Sequence, residues 1–68
     1  MAFEENLREA RKAKGLTQEE VAKYLGVSQS AVAQYELGAG APNIKVAVRL
    51  ARLLGTTCEE LVEGKGTE

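Results

Sequence analysis

Sixty-eight residues, 44% hydrophobic and 28% charged with a net charge of −1, describe one small packed domain with no room for a second core. One cysteine, Cys58, and no histidine exclude an internal disulfide and the usual zinc ligand sets, which points to a reducing compartment. No apolar run approaches the ~20 residues of a membrane span, and MAFEENLREA carries glutamates where a signal peptide would be apolar, so a soluble cytoplasmic protein is expected.

Phe3, Leu7 and Ala10 recur at i, i+4 and i+7, which predicts a first helix from Phe3 to Lys14 with Gly15 at the C-terminal cap. Thr17-Gln18-Glu19-Glu20 is a capping box that satisfies two orphan backbone N–H groups and opens a second helix, which Gly26 stops after two turns. Ser28 is the next N-cap and Gly38 the next stop. Gly38 to Pro42, GAGAP, reads as a loop, and Asn43 caps a fourth helix to about Leu54. Its expected core face is Ile44, Ala47, Val48, Ala51 and Leu54, and Val46, Leu50 and Leu53 widen that face beyond what one core needs. Thr57-Cys58-Glu59-Glu60 is a second capping box, leading into a short fifth helix through Leu61 and Val62. Residues 64–68 have no apolar anchor and are expected to fray, leaving 1–63 as the domain: all-α, five short helices, without strands or repeats.

All three glutamines, Gln18, Gln29 and Gln34, fall within TQEEVAKYLGVSQSAVAQYELG, residues 17–38. Glutamine neither titrates nor attacks, but its amide both donates and accepts hydrogen bonds, which suits recognition better than catalysis. On a helical wheel Ala31, Val32 and Tyr35 share an arc of roughly 100° with the Ser28 cap, while Gln29, Ser30, Ala33 and Gln34 fill an opposite arc of roughly 140°. That second arc is small, neutral and amide-bearing until Glu36 at its edge, where a solvated face would carry Lys and Glu. Such a surface fits base edges in a DNA major groove: Gln bonds adenine, Ser bonds any base, and an alanine methyl meets the thymine methyl. Leu25-Gly26-Val27-Ser28 is a turn too tight for antiparallel packing, and two helices joined by such a glycine turn describe a helix-turn-helix of helices 2 and 3. Helical spacing points Leu37 out among the polar residues, unless it lies beyond the last turn.

From Leu7 to Val62 the chain resembles the lambdoid phage repressor and Cro type of helix-turn-helix domain, the XRE-like family. The resemblance rests on Gln18, Val21, Ala22, Leu25, Gly26, Val27, Val32 and Tyr35 at the family's spacing, with LREARKAKGLTQ before the motif and APN and LARLLGTTCEEL after it. It implies a compact five-helix DNA-binding domain acting as a homodimeric transcription regulator, a repressor, on a palindromic operator in double-stranded DNA. Gln29, Ser30 and Gln34, with Ala33 close by, match its base-reading positions. The matching phosphate and backbone set is Gln18, Ser28, Asn43 and Lys45, to which Lys14 is added. Arg11 and Glu36 match an ion pair between helix 1 and the recognition helix, and Val46, Leu53, Cys58 and Val62 are the candidate dimer contact.

Three features weigh against a simple transfer. Gly38-Ala39-Gly40-Ala41 stands where many relatives carry Lys or Arg, and each lost phosphate contact removes about one unit of salt slope. Charge is also unevenly spread: residues 1–56 hold eight Lys and Arg against six Glu (+2), and residues 57–68 hold one Lys against four Glu (−3). Lys12, Lys14 and Lys45 read equally well as solvated charges, Cys58 as a small packed side chain, and an exposed Arg11–Glu36 pair would contribute under ~1 kcal/mol. A protein-interaction module on the same fold, of antitoxin or bridging-coactivator type, is therefore the alternative. No nucleophile and base pair, metal cluster or phosphate-cradling loop suggests an enzyme, and neither a cofactor nor a small-molecule site is expected.

Overall fold

The computed structural model of the chain describes residues 3–63, apart from the Glu63 side chain; the tail expected to fray at 64–68 lies outside the described residues. Five helices follow one another: α1 (Phe3–Ala13), α2 (Gln18–Leu25), α3 (Gln29–Leu37), α4 (Ile44–Leu54) and α5 (Cys58–Glu63). Among the described residues there is no strand, and no helix is long and apolar enough to cross a membrane.

The helix starts are set by side chains acting on backbone N–H groups. The Thr17 box closes in both directions: the Thr17 hydroxyl accepts from the Glu20 N–H at 3.0 Å and Glu20 accepts from the Thr17 N–H at 2.9 Å. Ser28 accepts from Ala31 N–H at 3.0 Å and Asn43 from Val46 N–H at 2.9 Å. The second predicted box is only half made. Thr57 accepts from Glu60 N–H at 3.0 Å, but the Glu60 carboxylate takes the Thr56 hydroxyl, one residue upstream, instead of the Thr57 N–H.

Between α2 and α3 the chain turns within three residues. Gly26 adopts φ 74, where its N–H caps the Ala22 carbonyl at 2.9 Å, and a Cβ placed there would meet nothing within 4 Å. The glycine is required by its dihedral and not by space. That turn sets α3 across α2, and α3 also packs on α1.

The core comprises Leu7, Val21, Ala22, Leu25, Val32, Leu50, Ala51, Leu54 and Leu61, drawn from all five helices. Leu7, Val21, Val32 and Leu50 are fully buried, and each large core side chain contributes about 1.5–3 kcal/mol of transfer free energy. The polar Asn6 is admitted to this interior because its Nδ2 donates to the Leu61 carbonyl at 2.7 Å, tying α1 to α5.

Helix α4 corrects the sequence reading. Leu50 is central to the core, whereas Ile44, assigned to the core face, is 79% exposed and Val48 is 38% exposed. The apolar arc of α4 is wider than the part that meets α2 and α5, so its pattern alone could not say which edge would stay in solvent. Ile44 and Val48 lie on that edge with the exposed Lys45, Arg49 and Arg52. Arg49 bends back over α2, its guanidinium 5.9 Å from the Tyr24 ring centroid and donating to the Tyr24 carbonyl at 3.3 Å.

Candidate nucleic-acid interface

Helix α3 is fixed on its inner side by Val32 and Glu36, both buried, with Ala31 and Tyr35 half-buried beside them. This leaves Gln29, Ser30 and Gln34 exposed along one outer face and Ala33 half-buried within it. Leu37 is the last residue of α3 and 77% exposed, so it extends the same face by an apolar step. No basic or acidic side chain of α3 joins that face, since the one acid of the helix, Glu36, is turned inward. The sequence reading placed Glu36 at the edge of the polar arc; the structure buries it.

The reason is the Arg11 guanidinium. Its Nε donates to Glu36 Oε2 at 2.6 Å and its Nη2 to Oε1 at 3.1 Å, while Nη1 donates to the Leu16 carbonyl at 2.8 Å. The two side chains are 12% and 3% exposed, so the bound of ~1 kcal/mol for an exposed pair does not apply. Burial pushes the Glu36 carboxyl toward its neutral form, but hydrogen bonds from Arg11 and Gln18 and the charges of Arg11 and Arg8 outweigh it. Its pKa therefore lies below the ordinary glutamate value.

Gln18, the candidate phosphate contact, belongs to the same network: its Nε2 donates to Glu36 Oε1 at 3.0 Å. One amide hydrogen is thereby committed inside the protein, and a second hydrogen and the carbonyl oxygen are left for an outside group. No sequence pattern marks this bond, because 18 positions separate the two residues and the docking of α2 on α3 brings them together.

The remaining candidates divide between two places. Ser28, Asn43 and Lys45 stand at the starts of α3 and α4, whose first turns carry no acid, whereas the first turns of α1, α2 and α5 each carry two. The partial positive charge of those two N-termini thus meets no acid from their own first turns. Lys14 stands elsewhere, at the other end of α4: a Cβ on Gly55 would lie 3.4 Å from its Nζ. An 11-residue helix is about 16 Å long, and Lys14 is separated from Asn43 and Lys45 by that length. Of the candidate dimer residues, Val46, Leu53 and Cys58 pack partly against the core, while Val62 is 60% exposed beside a shallow apolar cleft that includes Phe3, Pro42 and Ala47.

A capped two-helix turn that presents an uncharged amide and hydroxyl face is the arrangement of a helix-turn-helix, and residues 7–61 match the family model described as helix-turn-helix. The chain belongs to this family of DNA-binding transcription regulators, of the XRE and Cro type. It is similar to the uncharacterized HTH-type transcriptional regulator YqaE of Bacillus subtilis, 36% identical over 97% of this chain and 57% of that protein. It is also similar to the HTH-type transcriptional activator BcrR of Enterococcus faecalis, 37% identical over 96% of this chain and 32% of that protein. The chain thus spans 57% and 32% of the length of these two relatives. In three dimensions it superposes on the P22 c2 repressor, solved in complex with a synthetic operator, with a TM-score of 0.90 at 28% identity over 96% of this chain and 98% of that one.

Proposed function

We propose that the chain is a sequence-specific DNA-binding regulator, a repressor, that lays α3 in the major groove and acts in the cytoplasm as a homodimer on a palindromic operator. The observation that carries this reading is the outer face of α3, where Gln29, Ser30 and Gln34 are exposed without a charged neighbour on the helix. Amides and hydroxyls read base edges, and Ala33 and Leu37 supply apolar contact for a thymine methyl or a sugar. Ser28, Asn43 and Lys45 at the acid-free starts of α3 and α4 take phosphates, as does Gln18. The similarity to a repressor solved on its operator supports the same orientation. Two copies meet through the region of Val46, Leu53, Cys58 and Val62, which spaces the recognition helices by about 34 Å, one turn of DNA.

Selection from a random duplex library at moderate salt tests this directly. Enrichment of a palindrome is expected; recovery of DNA no better than charge-driven background would refute it.

One observation favours a second reading, in which the fold binds another protein. The loop after α3 is Gly38-Ala39-Gly40-Ala41, without a cation, and residues 57–68 carry a charge of −3, both poor features for a polyanion. Association with a protein partner in the absence of DNA would favour that reading, and a chain that enriches DNA but no partner would remove it.

A further inference from the structure

Glu36 has more hydrogen bonds than its ion pair needs. Arg11 alone reaches both carboxylate oxygens, at 2.6 and 3.1 Å, and neutralises the charge. Yet Gln18 Nε2 adds a third bond to Oε1 at 3.0 Å. A glutamine at the exposed start of a helix ordinarily samples many rotamers, and Gln29 and Gln34 on α3 donate no side-chain hydrogen bond within the described residues. The amide is planar, so once one of its N–H groups is held by a buried acceptor, the second N–H and the carbonyl are left with little freedom. The acceptor is itself immobilised, since Arg11 is anchored on the Leu16 carbonyl and Glu36 on the inner side of α3.

We propose that Glu36 is a positioning residue for DNA binding: its carboxylate holds the Gln18 amide so that the second N–H is aimed at a phosphate before DNA arrives. The inference rests on the reading of Gln18 as a backbone contact. Its physical content is that the rotamer entropy of Gln18 is lost on folding and not again on binding. The carboxylate never touches DNA, and its charge is cancelled by Arg11, so it does not repel the phosphate that Gln18 receives.

Two measurements test it. In the free protein, relaxation of the 15N-labelled side-chain amides is expected to give Gln18 an order parameter close to rigid backbone, about 0.85, and Gln29 and Gln34 values below about 0.6. Equal mobility of all three overturns the proposal without reference to DNA or to any variant. The second is a double-mutant cycle of Gln18→Ala and Glu36→Gln, with affinity measured by anisotropy on the duplex recovered from the library selection. Loss of a positioned, charge-assisted donor is expected to weaken the parent about tenfold and the Glu36→Gln background by threefold or less. Folding of each variant is checked by circular dichroism, and the order parameters stand if Glu36→Gln does not fold. Equal losses in both backgrounds overturn the positioning role alone. An inert Gln18→Ala overturns the contact itself, and absence of any binding by the parent overturns the DNA-reading function on which both depend.

Discussion

The two ends of α4 differ in charge more than the whole chain reveals. At its start stand Asn43 and Lys45 in a first turn without acid, as in α3, and the cleft beside Pro42 and Ala47 is lined by Glu4 of α1. Around its end lie Gly55 and Thr56 with Lys14, Glu9 and Glu60, in a cleft between α1, α4 and α5, and α5 itself opens with Glu59 and Glu60. A net charge of −1 describes neither end. For a ligand that meets only one surface the local field matters: the first turns of α3 and α4 carry no acid of their own and Glu36 is turned inward, while Glu4 of α1 lies against the Gly38 cap.

That inward turn is where the comparison is most easily broken. Arg11→Met leaves the Glu36 carboxylate buried without its main partner, a change of about 3–5 kcal/mol, which is most of the stability of a chain this size. Thermal and urea unfolding of the variant should register it at neutral pH. The pH dependence follows from the lowered pKa of Glu36: its contribution is present above the unfolded value, about 4.3, and is lost as pH falls through the lower folded one. Parent and variant should therefore converge in stability as pH drops below about 4, since a protonated Glu36 no longer needs the guanidinium. A gap unchanged down to pH 2 would mean that Arg11 acts through its packing or its bond to Leu16 instead.

On the outer face of α3 the expected effect is on binding. Gln29→Ala should cost about 1–3 kcal/mol of operator affinity and relax preference at one base pair. Its stability should stay within about 0.5 kcal/mol of the parent, because the side chain is exposed. Repeating the library selection with the variant would show the relaxed position; an unchanged motif would remove α3 as the reading helix. Gly26→Ala separates geometry from chemistry, since φ 74 without any steric neighbour makes the left-handed strain the whole cost, about 1–2 kcal/mol in unfolding experiments.

Much of this was legible in the sequence because it is local. Thr17, Ser28 and Asn43 each cap through a bond to the residue three positions on, a spacing visible in the chain. Gly26 and Gly38 mark helix ends by the same kind of short-range signal. The exposed face of α3 was readable because Gln29, Ser30 and Gln34 share one arc of the helix and Val32 and Tyr35 the other. What the sequence could not supply depends on docking angles. Helix α4 offers apolar residues around more than half its circumference, so exposure of Ile44 and burial of Leu50 wait on where α2 and α5 pack. The Gln18 bond to Glu36 and the approach of Lys14 to Gly55 join residues 18 and about 40 positions apart, for which no periodicity speaks. Glu36 was visible as a charge and as half of a pair, but its burial depends on α1 crossing α3.

The smallest expected effect sharpens the comparison most. Lys14 and Lys45 are both exposed lysines, and composition cannot tell them apart. They stand at opposite ends of α4, Lys45 in the acid-free first turn and Lys14 over the cap at Gly55. If DNA lies across the starts of α3 and α4, Lys45→Ala should weaken binding to all sequences alike and reduce the salt slope of log K by about one unit, the signature of one lost phosphate contact. Lys14→Ala should change the slope less than Lys45→Ala does, since Lys14 stands over Gly55 at the far end of α4 from Lys45. Anisotropy titrations of parent and both variants across 50–300 mM salt, with slopes compared instead of single affinities, make the distinction. Equal slope changes would mean that the bound DNA spans both ends of α4, and the reading surface would have to be redrawn around α1 as well as α3.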